Sequence, residues 1–224
     1  MNADPQTTGR EGQRVEHDAE GEAAQFWESY YRGRDQPWSG SPNAFLIAAV
    51  AQRQPGSALE LGCGEGGDAI WLAGQGWRVT VVDISATALD RAAKRAIAAG
   101  VGDRVTGERH DLARTFPSGR FDLVAALYLH TPFDFPRARV LQAAARAVNR
   151  DGLLLLVEHA SVAPWSWNQE QRFPSPEEIL ASLELDLAGW RIERLAAPER
   201  TSTGPGGQVA TVRDNVVAIR RLAE

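Results

Sequence analysis

The stretch Leu59-Glu60-Leu61-Gly62-Cys63-Gly64-Glu65-Gly66-Gly67 constrains this chain more than any other. An apolar, strand-like run meets a cluster of glycines and then a helical pattern, Asp68 to Ala73. Glycines there allow positive φ and close approach of another group, which a strand-to-helix turn at a ligand site requires. Downstream of Gly56, short apolar runs alternate with amphipathic stretches, the pattern of β-α-β units on a parallel sheet. Strands are predicted at about 57–61, 78–82, 104–109, 121–127 and 152–158, with helices at about 66–75, 86–99 and 137–148. The runs Val79 to Val82 and Leu153 to Val157 read as buried on both faces. A helix opened by Ser175-Pro176 follows, then strands at about 188–196 and 208–221, which the turn Gly204-Pro205-Gly206-Gly207 is expected to join as an antiparallel hairpin.

By spelling, Gly62-x-Gly64-x-x-Gly67 also satisfies the dinucleotide fingerprint. Charge separates the two ligands better. Glu60, Glu65 and Asp68 surround the turn, and no lysine or arginine lies within it. A like-charge contact at about 5 Å costs roughly 3 kcal/mol at an effective dielectric of about 20, so several of them oppose a pyrophosphate. A donor carrying a sulfonium and an ammonium, such as S-adenosylmethionine, is favoured by the same rim, while its carboxylate can use the helix N-terminal amides. Asp83 ends the next strand 21 residues after Gly62, where it suits ribose hydroxyls, and a third strand runs out at His110-Asp111-Leu112.

Composition narrows the chemistry further. Of 24 basic residues only Lys94 is a lysine, so neither a Gly-x-x-x-x-Gly-Lys phosphate loop nor a Tyr-x-x-x-Lys pair exists. A net charge of -5 argues against a nucleic-acid or anionic-membrane footprint and for a small-molecule partner. One cysteine and four scattered histidines supply neither a disulfide framework nor a metal site. The N-terminus lacks the layout of a secretion signal and the longest apolar run is too short to span a bilayer, so a cytoplasmic location is expected. Oligomeric state is not readable. Residues 1–21 are polar and expected to be a disordered tail, with a single domain over 22–224 whose first part, 22–54, forms two helices.

With these motifs in place, the chain resembles the class I S-adenosylmethionine-dependent methyltransferases over about residues 55–160. It is similar in finer detail to bacterial thiopurine and tellurite-resistance methyltransferases, through Phe26-Trp27-x-x-Tyr30-Tyr31, Pro37-Trp38-Ser39 and Glu65-Gly66-Gly67-Asp68-Ala69. The resemblance implies a three-layer α/β, Rossmann-like methyltransferase fold with a mostly parallel seven-stranded sheet and an antiparallel last strand. It implies S-adenosyl-L-methionine as cofactor. Glu60, Gly62, Cys63 and Gly64 would hold the methionyl part and Asp83 the ribose. Ile84 would pack on adenine, Asp111 and Leu112 would read its edge, and Leu127 would lie beside the methyl donor. The N-terminal helices act as a lid in this family, which brings Tyr31 and Trp38 near the donor.

Methyl transfer is an in-line displacement at an activated carbon, so alignment and exclusion of water supply much of the acceleration and a base is optional. Candidate bases are His130 and His159, just past the fourth and fifth strands, with Tyr128 as a further catalytic or pocket-wall group. The plainer alternative for each histidine is a strand cap or a ring packed under a loop. His110 and His17 read as structural and as part of the tail. Trp165, Trp167 and Phe173 form either an aromatic cover for a planar acceptor or a loop closing the core. Arg137, Arg139 and Arg146 read as solvated face charges. Two other functions stay open: a nicotinamide-dependent oxidoreductase, and a noncatalytic protein that binds S-adenosylmethionine.

Overall fold

Period-two alternation along the buried strands sends side chains to opposite faces of one sheet. Leu153, Leu155 and Val157 enter one core with Ala58, Val79, Val81, Leu123 and Ala125. Leu154 and Leu156 enter the other with Leu59, Leu61, Val82, Val124 and Ala126. The computed structural model describes residues 21–35, 40–166, 168–204 and 206–223. The expected tail apart from Gly21, and Trp38, Trp167 and His17, lie outside the described residues.

The strands are β1 (Ser57–Leu61), β2 (Arg78–Asp83), β3 (Val105–Arg109), β4 (Phe121–Leu127), β5 (Val148–His159), β6 (Trp190–Ala196), β7 (Glu199–Thr203) and β8 (Val209–Arg221). The helices are α1 (Glu22–Arg32), α2 (Ala44–Val50), α3 (Gly67–Gly74), α4 (Ala86–Ala98), α5 (Arg137–Arg146) and α6 (Pro176–Ser182). The main sheet runs β3-β2-β1-β4-β5-β8-β6. Strands β1 to β5 are parallel, and β8 is antiparallel to both β5 and β6. Helices α2 and α3, with Trp77, pack on one face, and α5 and α6 on the other, giving three layers.

The Ser175-Pro176 opening matches the sequence reading, with Pro176 at the first helical position; the structure adds a capping box between Ser175 and Glu178 and a Ser85 cap on α4. One strand departs from it. The glycine turn joins β7, not β6, to β8, and β7 pairs only with β8, off the main path, making an eighth strand. Glu-Arg-Thr-Ser-Thr carries no apolar residue, so hydrophobic periodicity gives it no signal.

Strand order reverses between β1 and β4, because β2 lies on one side of β1 and β4 on the other. The crevice at the carboxyl ends of these two strands is where open α/β sheets take ligands.

Candidate active site

Gly62, Gly64 and Gly66 all carry positive φ, at 71°, 54° and 76°. The amides of Gly62 and Cys63 donate to the Val82 carbonyl at 2.8 and 2.9 Å, stitching the turn to the end of β2. Gly64 N–H donates to Asp83 Oδ2 at 3.0 Å. A Cβ at Gly62 would stand 2.6 Å from the Leu129 side chain beyond β4, so the turn closes directly on the crevice. At Gly67 it would meet the backbone of Gly40 at 3.0 Å, which places the segment entering α2 over the turn.

Around this turn lie three acids with no ion-pair partner among the described residues, Glu60 and Asp83 buried and Asp68 half-buried. Burial, then the nearby Asp68 and Asp83 charges, push the Glu60 carboxyl well above the usual range, and its Oε2 has no hydrogen-bond partner. Burial raises Asp83 to about 6 against the N–H groups of Ser85 and Gly64 that favour its charge. Asp68 is likewise raised by burial to about 6, although Asn43 N–H donates to it at 2.5 Å. Burial also raises the Cys63 thiol, which leaves it a small filler in the turn.

Glu65 departs from the expectation of an unneutralised rim. Arg91 of α4 meets it at 2.9 Å and Arg95 at 3.6 Å, so arginines absent from the turn's own sequence reach it from the neighbouring helix. The acids left without a cation among the described residues are Glu60, Asp68 and Asp83. An orphaned carboxyl oxygen on Glu60, buried Asp83 and half-buried Asp68 suit a cationic ligand and oppose a diphosphate.

The residues expected on the nucleoside side share this strand edge. His110 N–H donates to the Asp83 carbonyl at 3.1 Å, drawing the end of β3 to the end of β2. Asp111 accepts from Ala113 N–H at 3.0 Å and pairs with Arg114 at 3.2 Å, and Leu112 packs on the core. The Ile84 carbonyl accepts from Arg109 Nε at 2.9 Å. Tyr31 is buried with Tyr30 and Ala88 in the seam between α1 and α4. His110 lies between Thr115 and Glu108, at 3.0 and 3.2 Å from its ring nitrogens.

On the other side of the crevice, Leu127 is buried at the end of β4 and Tyr128 follows with φ 53°. The Tyr128 ring stacks on His159 at 4.6 Å, His130 stacks on His159 at 5.3 Å, and Phe173 stands edge-on at 6.2 Å. Thus the three candidate catalytic residues form one cluster. Burial, then the Asp214 hydrogen bond and charge, raise the Tyr128 phenol, so it stays neutral. Burial, then His159 and Arg137, lower His130 to about 3, and its buried Nε2 has no partner. A histidine that weakly basic is a poor general base.

Sequence reasoning missed Asp214 and Arg200 altogether. It also misread Arg137, which is no solvated charge: it donates to the Leu129 carbonyl at 2.6 Å and pairs with buried Glu158. Helix α1 roofs this region through Phe26 against Phe133 and through Trp27 Nε1–H donating to Thr131 at 3.4 Å.

The family model described as "Methyltransferase domain" matches residues 58–152, the span that carries the glycine turn and the ends of β2, β3 and β4. A solved structure described under the conversion of a disulfide bond into a thioacetal group during echinomycin biosynthesis is 25% identical, with a TM-score of 0.69 over 89% of this chain and 93% of that one. Residues 58–152 thus match a methyltransferase domain, and the chain has the mostly parallel, Rossmann-like fold of the class I S-adenosylmethionine-dependent methyltransferases. TehB of Haemophilus influenzae, a tellurite-resistance methyltransferase, shares the fold at 15% identity, with a TM-score of 0.67 over 88% of this chain and 67% of that one. The ribosomal RNA small subunit methyltransferase C of Alcanivorax borkumensis is 33% identical over 109 residues, 47% of this chain. The chain therefore spans about a third, 32%, of that relative's length. The cofactor of the domain is S-adenosylmethionine, and other solved neighbours of this fold hold that donor or its demethylated product. Among the described residues no helix is long and apolar enough to cross a membrane.

Proposed function

We propose that this chain transfers a methyl group from S-adenosylmethionine to a small-molecule acceptor bound between the aromatic cluster of β4 and β5 and the helix α1. The observation that carries the reading is the acid set of buried Glu60 and Asp83 with half-buried Asp68, which has no cation of its own among the described residues, around a glycine turn at the strand-order reversal. Bound there, the donor supplies a methyl carbon already activated by its sulfonium.

The chain's own residues bind, orient and exclude water. Glu60 and the turn of Gly62, Cys63 and Gly64 hold the methionyl end. Asp83 turns from the Gly64 amide to the ribose, and Ile84, Asp111 and Leu112 take the adenine. Leu127 and Tyr128 wall the place where acceptor and donor meet, beneath the roof of α1 with Tyr31. Shielding of this kind strengthens the alignment on which a displacement at carbon depends.

The acceptor is read as small because the net charge is -5 and the site's rim is acidic, both of which repel a phosphate backbone. The likeness to a ribosomal RNA methyltransferase favours the other acceptor class, so the test includes it. Release of S-adenosylhomocysteine is measured with panels of small thiols, phenols, amines and metalloid oxyanions, and separately with small-subunit ribosomal RNA. Turnover with a small-molecule class and none with RNA is expected. Turnover with RNA alone overturns the acceptor class, and donor binding without turnover on either panel points to a noncatalytic binding protein.

A further inference from the structure

Asp214 is wholly buried, yet it faces three donors from three directions. Tyr128 Oη–H donates to its Oδ2 at 2.6 Å. Arg200 of β7 pairs with it through Nε at Oδ2 and reaches Oδ1 through Nη2 at 3.4 Å. His159 Nδ1 lies 3.3 Å from Oδ1. A buried carboxylate without such partners would be strongly destabilising; with them it stays ionised, because the hydrogen bonds from His159, Arg200 and Tyr128 outweigh the burial that raises it.

An ionised carboxylate only accepts hydrogen bonds, so the ring nitrogen facing it carries the proton. Neutral imidazole has a single N–H, which leaves the lone pair on Nε2. The plane of the His159 ring is fixed independently, by Tyr128 at 29° and His130 at 12° to it. Its backbone is held by Asn215 Nδ2, which donates to the His159 carbonyl at 3.4 Å and to that of Pro174 at 2.6 Å. The His159 side chain is 41% exposed whereas that of Asp214 is 0% exposed. A buried, charged orienter behind a ring that reaches the crevice is the arrangement by which an imidazole base is aimed.

We propose that Asp214 is a positioning residue that holds His159 with its proton on Nδ1 and its Nε2 free to take a proton from the methyl acceptor. The proposal rests on the acceptor position argued above and narrows the acceptor to compounds that lose an O–H, N–H or acidic C–H proton. In that step the proton passes from the acceptor to Nε2, the electron pair of the broken bond stays on the acceptor, and the imidazolium returns the proton to solvent. The charged and titratable groups facing His159 are Tyr128 and His130 from the end of β4, Asp214 from β8 and Arg200 from β7. His130 is held neutral and adds no opposing charge.

The test is the tautomer of His159 in the full chain labelled with ¹⁵N-histidine, read by NMR at pH 8 and assigned by loss of the signal in His159→Gln. The wild type is expected to show the Nδ1–H form. In Asp214→Asn the amide oxygen turns to Tyr128 and Arg200, its NH₂ faces Nδ1, and the proton moves to Nε2. Tyr128→Phe keeps Asp214 and keeps the Nδ1–H form, so it decides the matter even where Asp214→Asn does not fold. Diethyl pyrocarbonate, which attacks only an imidazole nitrogen with a free lone pair, modifies His159 rapidly in the wild type and more slowly in Asp214→Asn. An Nε2–H wild type, or a tautomer and reactivity unmoved by Asp214→Asn, overturns the proposal and leaves Asp214 as a staple between the β7–β8 hairpin and the sheet. Calorimetry with S-adenosylhomocysteine on the same samples separates this from failure of the donor site, which would abolish binding and leave the tautomer as it is.

Discussion

In the unliganded protein Asp83 and Asp68 pay for their burial, because each is raised from 3.8 to about 6. The folded chain holds more protons on them than the unfolded chain between about pH 4 and 6, so its stability falls as pH rises through that window, by about 3 kcal/mol for a shift of some two units. A cationic donor reverses this by favouring both carboxylates. Donor affinity is therefore expected to weaken as pH falls below about 6, with proton release on binding seen by calorimetry in buffers of different ionisation enthalpy. Asp83→Asn keeps one side-chain oxygen, enough for either the Gly64 or the Ser85 amide but not both, and loses the charge. It should weaken donor binding by about 10- to 100-fold, the worth of a hydrogen bond to a charged group. Gly62→Ala meets both φ 71° and the Leu129 side chain, and a drop of about 1–3 kcal/mol in chemical denaturation is expected, with loss of donor binding. Glu60, Asp83 and the glycines were legible because each sits at the end of a recognisable strand. Asp214 was not, since its partners Tyr128 and His159 lie 86 and 55 residues away and only the register of β8 beside β5 brings them together.

Among the elements, α1 is held on the N-terminus of α4 by one carboxylate. Glu28 accepts from Ser85 Oγ at 2.7 Å, Thr87 Oγ1 at 2.6 Å and Thr87 N–H at 3.2 Å. Burial raises its pKa, but these bonds and Arg32 prevail and bring it to about 2. Its stabilising contribution is thus complete above about pH 4.5 and lost as pH falls toward 2. Glu28→Ala should loosen α1 by about 1–3 kcal/mol, seen as faster amide exchange over 22–32 with exchange in β4 and β5 unchanged. The helices and the five parallel strands were readable from apolar spacing and caps. Strand β7 was not, because it lies off the main sheet, its alternate residues are exposed, and its register is set by β8 alone. The missed strand also carries Arg200, so a gap in the elements became a gap in the site.

For the whole molecule, strand order decides where chemistry can occur. The reversal at β1 and β4 puts the glycine turn opposite Leu127 to His130, and the antiparallel β8 delivers Asp214 to the same edge. Acids gather there although the surrounding α4 supplies arginines, and those arginines are spent on Glu65. The fold alone also serves a [4+2]-cyclase among the solved neighbours, so activity follows from the site and not from the sheet. What separates this chain from a nicotinamide enzyme of similar topology is the sign of the charge its turn accepts. Calorimetric titration of the full chain with S-adenosylmethionine and, in parallel, with reduced nicotinamide dinucleotide measures that directly. The account predicts saturable one-site binding of the sulfonium donor and no heat from the dinucleotide; tight uptake of the dinucleotide with no response to the donor would contradict it.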